Sequence, residues 1–206
     1  MTPIIFVLCW VMSSKILSKK AQSHRRILET ASREVRRSGF HGVGVADVMN
    51  KAGMTHGGFY SHFDSRDALL AEAVVHASND IGAAISANVR AIAQRGQSSF
   101  SAFIETYLSE GHMIDCENGC PVAALCGEMP NQAAEVLSSS RRIVGNLHKL
   151  VQQALPPDSS AETVWTVAGA VVGAMQLARA LGNNKQGKAV LAAARADLIA
   201  RYDRRH

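Results

Sequence analysis

The chain has 206 residues, a mass of 22.0 kDa and a formal net charge of +5, with a pI near 9.2. This length can bury the core of one large or two small domains, which excludes a marginal miniature fold. The positive excess is uneven, because residues 11–72 carry ten Lys and Arg against six Asp and Glu, whereas the remainder carries twelve against eleven. The composition therefore predicts a basic, partner-binding N-terminal end.

Cysteine usage and the N-terminus bear on the cellular compartment. The cysteines are Cys9, Cys116, Cys120 and Cys126, too few for a disulfide framework in a chain of this length, so a reducing cytoplasm is expected. The apolar first dozen residues are far shorter than the roughly 20 needed to cross a bilayer. They also lack the features of a signal peptide. We expect residues 1–17 to be a disordered tail, or an upstream mis-called start before the true initiator Met12, with no membrane partner.

The N-terminal half reads as a helix followed by a helix-turn-helix. Apolar residues at helical spacing predict a first helix over about residues 18–37, ended by Ser38 and Gly39. A second helix is predicted over residues 45–52, and Gly53 supplies the corner that lets the next helix cross it. Residues 64 and 65 then cap a connecting helix with an apolar stripe from Leu69 to Ile85.

The rest of the chain also has helical periodicity. A break at residues 96–99 precedes an amphipathic helix from Phe100 to about residue 118. Pro121 suits the first position of a helix that stops near residues 129–130. Three further helices are predicted over residues 132–155, 161–181 and 187–202. No segment has strand periodicity of useful length, so we predict an all-α fold of about nine helices.

The helix predicted over residues 161–181 is apolar on nearly every face, with Glu162 and Arg179 as its ionised residues. Such a helix must be covered on all sides. Its small residues allow close helix approach, and the last helix is similarly rich in alanine. These features predict a homodimer interface formed by the last two helices. The alternative is that both helices lie inside a monomer.

The segment after Gly53 has the residue types that a recognition helix needs. Major-groove binding requires a short helix whose first residues meet base edges, with flanking residues on the phosphates. We predict that Thr55, His56 and Gly57 face the groove, with Thr55 also capping the helix. Tyr60, His62 and Arg66 are predicted to contact phosphates. Phe59 and Phe63, four residues apart, are predicted to lie in the small core.

The stretch SGFHGVGVADVMNKAGMTHGGFYSHFDSRDALLAEAV resembles the DNA-binding domain of TetR-family transcriptional regulators. The shared elements are a Gly-Phe after the first helix, an Ala-Gly corner, Phe-Tyr-x-His-Phe, and a Ser-Arg-Asp-x-Leu-Leu helix start, over about residues 27–75. Thr55, Tyr60, His62 and Arg66 fall where that family contacts DNA. The chain departs from the family at Val43 and Gly44, where a Thr or Ser hydroxyl usually contacts phosphate.

The resemblance implies a DNA-binding domain over residues 18–75 and a larger helical regulatory and dimerisation domain over residues 76–206. It also implies a homodimer on a near-palindromic operator, from which an inducer releases it, with no cofactor and no catalytic activity. Repression is the expected mode of regulation.

The segment CENGCPVAALC, residues 116–126, is the most unusual part of the second domain. Cys120 precedes Pro121, so its sulfur is expected at a helix N-terminus, where the helix dipole stabilises a thiolate. A Gly-Cys-Pro segment also resembles TetR-type regulators that sense electrophiles or oxidants. Cys120 is then the predicted sensor, with Cys116 or Cys126 as resolving partners. Simple packing of a small apolar side chain and metal binding are the alternatives.

Two further hypotheses concern this domain. A non-covalent inducer could occupy an apolar pocket. Its candidate lining, which could equally be core, is Phe103, Tyr107, Met113, Trp165 and Met175. The rival class is an all-α enzyme in which His112 activates Cys116 or Cys120, but this reading leaves the cluster from Thr55 to Arg66 unexplained.

Overall fold

A computed structural model describes residues 18–203, and these residues fold into nine α-helices and two short 3-10 helices, with no strand among them. The predicted all-α class is confirmed. The predictions about residues 1–17, including Cys9 and Met12, lie outside the described residues. The helices are α1 (Lys19–Ser38), α2 (Val45–Lys51), η1 (His56–Ser61), α3 (Arg66–Ala93), α4 (Ser99–Tyr107), α5 (Glu110–Ile114), α6 (Pro121–Leu125), η2 (Met129–Asn131), α7 (Ala134–Ala154), α8 (Ala161–Leu181) and α9 (Lys185–Tyr202).

The N-terminal unit consists of α1, α2, η1 and the first turns of α3, packed around a small apolar core. Ser18 and Ser65 begin α1 and α3 by accepting hydrogen bonds from the backbone N–H groups of residues 21 and 68. Phe59 and Phe63 are buried and stack with ring centroids 5.7 Å apart, which confirms their predicted core role. Through this core η1 packs against α2, and its other face is left to solvent.

Two local predictions in this region need correction. The recognition segment is a short 3-10 helix, because its two consecutive glycines, Gly57 and Gly58, lower helix propensity by about 1 kcal/mol each. Thr55 occupies the N-cap position of η1, but its side chain makes no capping hydrogen bond, so the predicted cap is wrong.

Residues 100–118 do not form one helix, as the sequence pattern predicted. The chain breaks at Leu108, and Ser109 starts α5 by accepting a hydrogen bond from the His112 N–H at 3.1 Å. Arg195 of α9 donates to the carbonyl of Leu108, which satisfies a polar group that the break exposes. Pro121 does stand at the start of α6, but α6 ends at Leu125, short of the predicted stop.

The larger C-terminal part of the structure is a bundle in which α3 packs on α7, and α8 packs on α9 and α7. Helix α3 runs unbroken from Arg66 to Ala93, so it belongs to both parts of the chain. Within residues 18–203, Ala161–Leu181 is the single helix long and apolar enough to cross a membrane by length and composition. Core helices of soluble proteins meet the same two criteria, so these do not by themselves indicate a membrane protein.

Candidate DNA-binding surface and regulatory cavity

The solvent-facing side of η1 is an exposed surface that follows a tight corner. Gly53 has a φ of 70°, which only glycine adopts without strain, and it turns the chain from α2 towards η1. Thr55, His56 and Gly57 are all exposed, and a Cβ added to Gly57 would meet no atom within 4 Å. The three predicted groove-facing residues therefore lie together, in a position that leaves room for another molecule.

Tyr60 and His62 continue this surface. The Tyr60 side chain is 71% exposed and its ring lies edge-on to Phe59, at 5.2 Å between centroids. His62 is half-buried, 5.9 Å from the ring of His24, and its buried Nδ1 has no hydrogen-bond partner. Burial lowers the pKa of His62, and the positive charges of His24 and Lys20 lower it further. A nearby phosphate would oppose this effect, because a negative charge favours the protonated ring.

Arg66 has an internal role that its sequence context does not show. Its Nε donates to the carbonyl of Val43 at 3.0 Å, and its Nη2 donates to the carbonyl of Phe40. The guanidinium thus ties the start of α3 to the loop between α1 and α2. Its predicted contact with DNA phosphate stays a prediction, and the structure adds a positioning role for the same side chain.

The cysteine segment places its three thiols in different environments. Cys120 is 4% exposed and occupies the N-cap position of α6, as the Cys-Pro pair predicted, whereas Cys116 is half-buried and Cys126 exposed. No group of three or more His, Cys, Asp or Glu residues within 18–203 is arranged to hold a metal ion.

His112 holds this segment through both of its ring nitrogens. Its Nδ1 donates to the carbonyl of Tyr107 at 2.6 Å, and its Nε2 accepts from the N–H of Cys120 at 2.9 Å. This pattern requires the neutral ring protonated on Nδ1. Burial lowers the pKa of His112 to about 4, with the charge of Arg179 contributing. Since neither ring nitrogen is free, the ring is not placed to act as a base towards a thiol, as the rival enzyme reading requires.

A cavity of about 240 Å³ lies between α3 and α7, and Tyr107 and the Cys120 turn form part of its wall. Its apolar lining comes mainly from Ile81, Ile85, Ile143, Leu147, Leu150, Pro121 and Val122. The buried hydroxyl of Tyr107 has no hydrogen-bond partner of normal geometry. Burial raises the pKa of Tyr107 well above its usual value, and Cys120 raises it further. The Cys120 thiol and the Tyr107 hydroxyl therefore interact beside a space whose wall is part apolar and part polar, the polar part including Asn146, Lys149 and Gln153.

The five predicted pocket residues do not share one site. Tyr107 lines the cavity just described, and Phe103 lines a separate one of about 180 Å³. Met113 and Met175 are buried and line neither cavity. Trp165 is 53% exposed and packs on His148, with 4.4 Å between ring centroids. Sequence reasoning missed the isoleucines and leucines of α3 and α7, because nothing in their type distinguishes cavity lining from core.

One face of α8 presents apolar residues to solvent. Trp165, Leu177 and Leu181 are 53%, 61% and 43% exposed, and the exposed Gly169 lies on the same helix. In α9 the exposed residues include a run of alanines, at 189, 192, 193, 196 and 200. Exposed apolar side chains on two helices that pack on each other, as α8 and α9 do, are a feature of protein–protein contact surfaces.

The exposed η1 surface, the glycine corner and the buried Phe pair define a helix-turn-helix DNA-binding protein with a second helical domain. Residues 27–73 match the family model for bacterial regulatory proteins of the tetR family. The uncharacterized HTH-type transcriptional regulator Rv0196 of Mycobacterium tuberculosis is 27% identical over 165 residues, which are 75% of this chain and 82% of that protein. YdgC of Bacillus subtilis, an uncharacterized HTH-type transcriptional regulator, is 39% identical over 57 residues, 28% of this chain and 29% of that protein.

Solved structures show the same fold over nearly the whole chain. A TetR-family transcriptional regulator from Cytophaga hutchinsonii has a TM-score of 0.71 at 20% identity, covering 90% of this chain and 97% of that one. The reduced form of Escherichia coli NemR has a TM-score of 0.71 at 16% identity, covering 88% and 97%. Residues 27–73 thus match the DNA-binding domain of TetR-family regulators, the curated relatives are HTH-type transcriptional regulators, and the described chain has the fold of TetR-family structures. The predicted family is confirmed.

Proposed function

We propose that this regulator is a homodimeric repressor that holds a near-palindromic operator and releases it when an inducer reaches the cavity beside Cys120. The observation that carries the DNA half is the joint exposure of Thr55, His56, Gly57 and Tyr60 on one side of a buried Phe59 anchor. Such a protein acts where bacterial DNA lies, in the cytoplasm.

Dimerisation is proposed through α8 and α9. Burying Trp165, Leu177 and Leu181 against a second copy would remove a large apolar area from water, and each Å² contributes about 25 cal/mol. The exposed glycine and alanine positions allow the two helix pairs to approach closely. A two-fold axis would then set two η1 surfaces about one DNA turn apart, roughly 34 Å, which is the spacing that half-sites require.

The DNA contacts are tested with the duplex that the protein itself selects from random sequences. Tyr60→Phe combined with His62→Ala removes two predicted phosphate contacts while leaving the Phe59 and Phe63 core in place. We expect operator affinity measured by fluorescence anisotropy to fall at least tenfold, because the variant loses two charge-assisted hydrogen bonds to phosphate. Sedimentation should still show a dimer. Unchanged affinity would refute this assignment of contacts, and binding that does not weaken with salt would refute phosphate contact altogether.

The inducer is proposed to be a small electrophile or oxidant that reacts with Cys120. With an unsaturated carbonyl compound, the thiol loses its proton to solvent and the sulfur forms a bond to the β-carbon. The adjacent carbon then takes up a proton, so no group leaves. With a hydroperoxide, the Cys120 sulfur would take the outer oxygen to form a sulfenic acid and release an alcohol, and the thiol of Cys116 or Cys126 would then attack that sulfur, forming a disulfide and releasing water. A cavity of about 240 Å³ admits a compound of about ten heavy atoms, since a cavity of about 150 Å³ holds benzene.

A non-covalent apolar ligand in the same cavity is the second candidate, favoured by the isoleucine and leucine side chains that line it. Cys120→Ser separates the two. Release by N-ethylmaleimide is expected in the unmodified protein and should disappear in the Cys120→Ser variant. Equal release of DNA from both proteins would rule out covalent sensing at Cys120. Cys126→Ser is the matched control, and this variant should release DNA as the parent does.

A further inference from the structure

The peptide group that joins Gly119 to Cys120 has both of its polar atoms held by side chains from different parts of the molecule. Its carbonyl oxygen accepts a hydrogen bond from Arg36 Nη1 at 3.0 Å, and Arg36 belongs to α1 of the DNA-binding unit. Its N–H donates to His112 Nε2 at 2.9 Å, and His112 belongs to α5 of the regulatory part. The thiol that faces the cavity is attached to this same peptide.

The packing around this peptide leaves it little freedom. Gly119 has no side chain, and a Cβ at this position would collide with Arg179 and come within 3.0 Å of the His112 ring. Arg179 in turn donates to the carbonyl of His112 at 2.8 Å. A shift of this peptide that accompanies a group added to Cys120 therefore also displaces the side chains packed on the peptide, because close-packed interiors transmit displacement rather than dissipate it.

On the other side, Arg36 is well placed to receive such a displacement. It is 6% exposed, and its Nε donates to the carbonyl of Ser32 at 2.9 Å, which fixes the side chain along α1. A second contact lies just beyond the end of α1, where the Phe40 N–H donates to Glu128 Oε2 at 2.8 Å. Two hydrogen bonds thus join the C-terminal end of α1 to the segments on either side of α6.

The end of α1 leads directly to the DNA-binding surface. The carbonyls of Phe40 and Val43, in the loop after α1, accept hydrogen bonds from Arg66 at the start of α3. Arg66 follows η1 after only a short turn. A shift at residue 119 therefore has a path through Arg36, the end of α1 and Arg66 to the short segment that follows η1, separate from the length of α3 that also joins the two parts.

We propose that the hydrogen bond from Arg36 to the Gly119 carbonyl is the regulatory latch of this protein, through which occupation of the Cys120 cavity changes the position of η1 and releases DNA. Arg36 is a positioning residue in this scheme and makes no contact with inducer. The inference rests on the proposed function, since it assigns the route by which that regulation reaches the operator.

A double-mutant cycle on operator affinity tests the latch without any inducer. Arg36→Met removes the donor but keeps an apolar stem, and His112→Phe keeps the ring volume but frees the Cys120 N–H. Each single variant is expected to raise the operator Kd at least about fivefold. The Kd of the double variant should be no higher than that of the weaker-binding single variant, because both substitutions interrupt the same path. If the increase in operator Kd of the double variant equals the product of the two single increases, the proposal is overturned.

Arg33→Met is the matched control, since Arg33 is an exposed arginine on the same helix. Its effect should multiply with that of His112→Phe, as independent sites do. Should Arg36→Met fail to fold, Arg36→Lys replaces it, because an ammonium lacks the planar fork that holds the Ser32 and Gly119 carbonyls at two separate nitrogens. The cycle is read in the same way for either variant.

A second arm uses N-ethylmaleimide on a variant with Cys9, Cys116 and Cys126 changed to Ser, so that Cys120 is the thiol that reacts. Modification should raise the operator Kd at least about tenfold. In the Arg36→Met variant, the operator Kd of the modified protein should differ from that of the unmodified protein by no more than about twofold. No response to the maleimide together with a non-multiplicative cycle refutes the sensor but supports the latch. A full response that survives Arg36→Met refutes the latch, leaves the sensor standing and assigns transmission to α3.

Discussion

Acidification should destabilise this protein through His112, and the size of the effect follows from the hydrogen bonds of its ring. Protonating Nε2 would place an N–H against the N–H of Cys120, at a nitrogen-to-nitrogen distance of 2.9 Å. The folded protein therefore resists protonation, and the pKa of His112 is lowered from 6.5 to about 4. In the unfolded chain the ring has its ordinary pKa of about 6.5.

The sign follows from which state binds the proton. Above about pH 6.5 the ring is neutral in both states, and its contribution to the free energy of unfolding is fully present. Between about pH 6.5 and pH 4 the unfolded chain takes up the proton first, so this contribution is lost as the pH falls. The loss is about 2 kcal/mol between about pH 7.5 and pH 5, and about 3 kcal/mol when complete.

Urea unfolding at fixed protein concentration, for the parent and for His112→Phe, measures this quantity. The difference in free energy of unfolding between the two proteins should change by about 2 kcal/mol between about pH 7.5 and pH 5, in the direction that makes the variant relatively more stable in acid. Comparing the two proteins cancels the titration of His62 and of the carboxylates. A difference that does not depend on pH would show that the ring is not held in this neutral tautomer.

Three further substitutions test the packing and the proposed interface. Gly39→Ala should lower the free energy of unfolding by at least about 1–2 kcal/mol, because Gly39 has a φ of 72° and a Cβ there would collide with the Glu128 carboxylate. Gly82→Ala, inside α3 with open space around it, should raise the free energy of unfolding by about 0.5–1 kcal/mol. Urea unfolding measures both changes, and equal effects of the two substitutions would contradict the backbone argument. Leu177→Glu should convert the proposed dimer to a monomer in sedimentation velocity without loss of the helical circular dichroism signal, since Leu177 is 61% exposed in the single chain. A dimer of unchanged affinity would show that Leu177 does not lie in the dimer interface.

Much of the fold could be predicted from the sequence, because helix starts and apolar periodicity depend on residues that are close together in the chain. Ser18, Ser65 and Pro121 mark helix starts that depend only on backbone donors within a few residues. The break at Leu108 escaped prediction because the apolar periodicity of residues 100–107 gives no sign of it. The carbonyl of Leu108, which the break leaves without a partner in the helix, accepts from Arg195, 87 residues away, and such a partner cannot be read from neighbouring residues.

The candidate sites divide in the same way. The exposure of Tyr60 and the burial of Phe59 follow from their spacing on a short helix, so sequence reasoning could assign them. Arg66 has the residue type of a phosphate ligand, yet it binds two backbone carbonyls that only the folded loop brings near. The link between Arg36 and residue 119 spans 83 positions and has no local pattern at all.

The energetics of Arg36 make stability and regulation separable in this protein. Burial lowers the pKa of its guanidinium, and the charges of Asp80 and Asp115 offset this effect only in part, so keeping the cation inside the fold has a cost. Replacing it by Met removes that cost but leaves the Gly119 carbonyl without its donor, a penalty of about 1–3 kcal/mol. Because the two effects oppose each other, the free energy of unfolding of Arg36→Met should stay close to that of the parent. A loss of operator response in that variant would then report the broken latch rather than an unfolded protein.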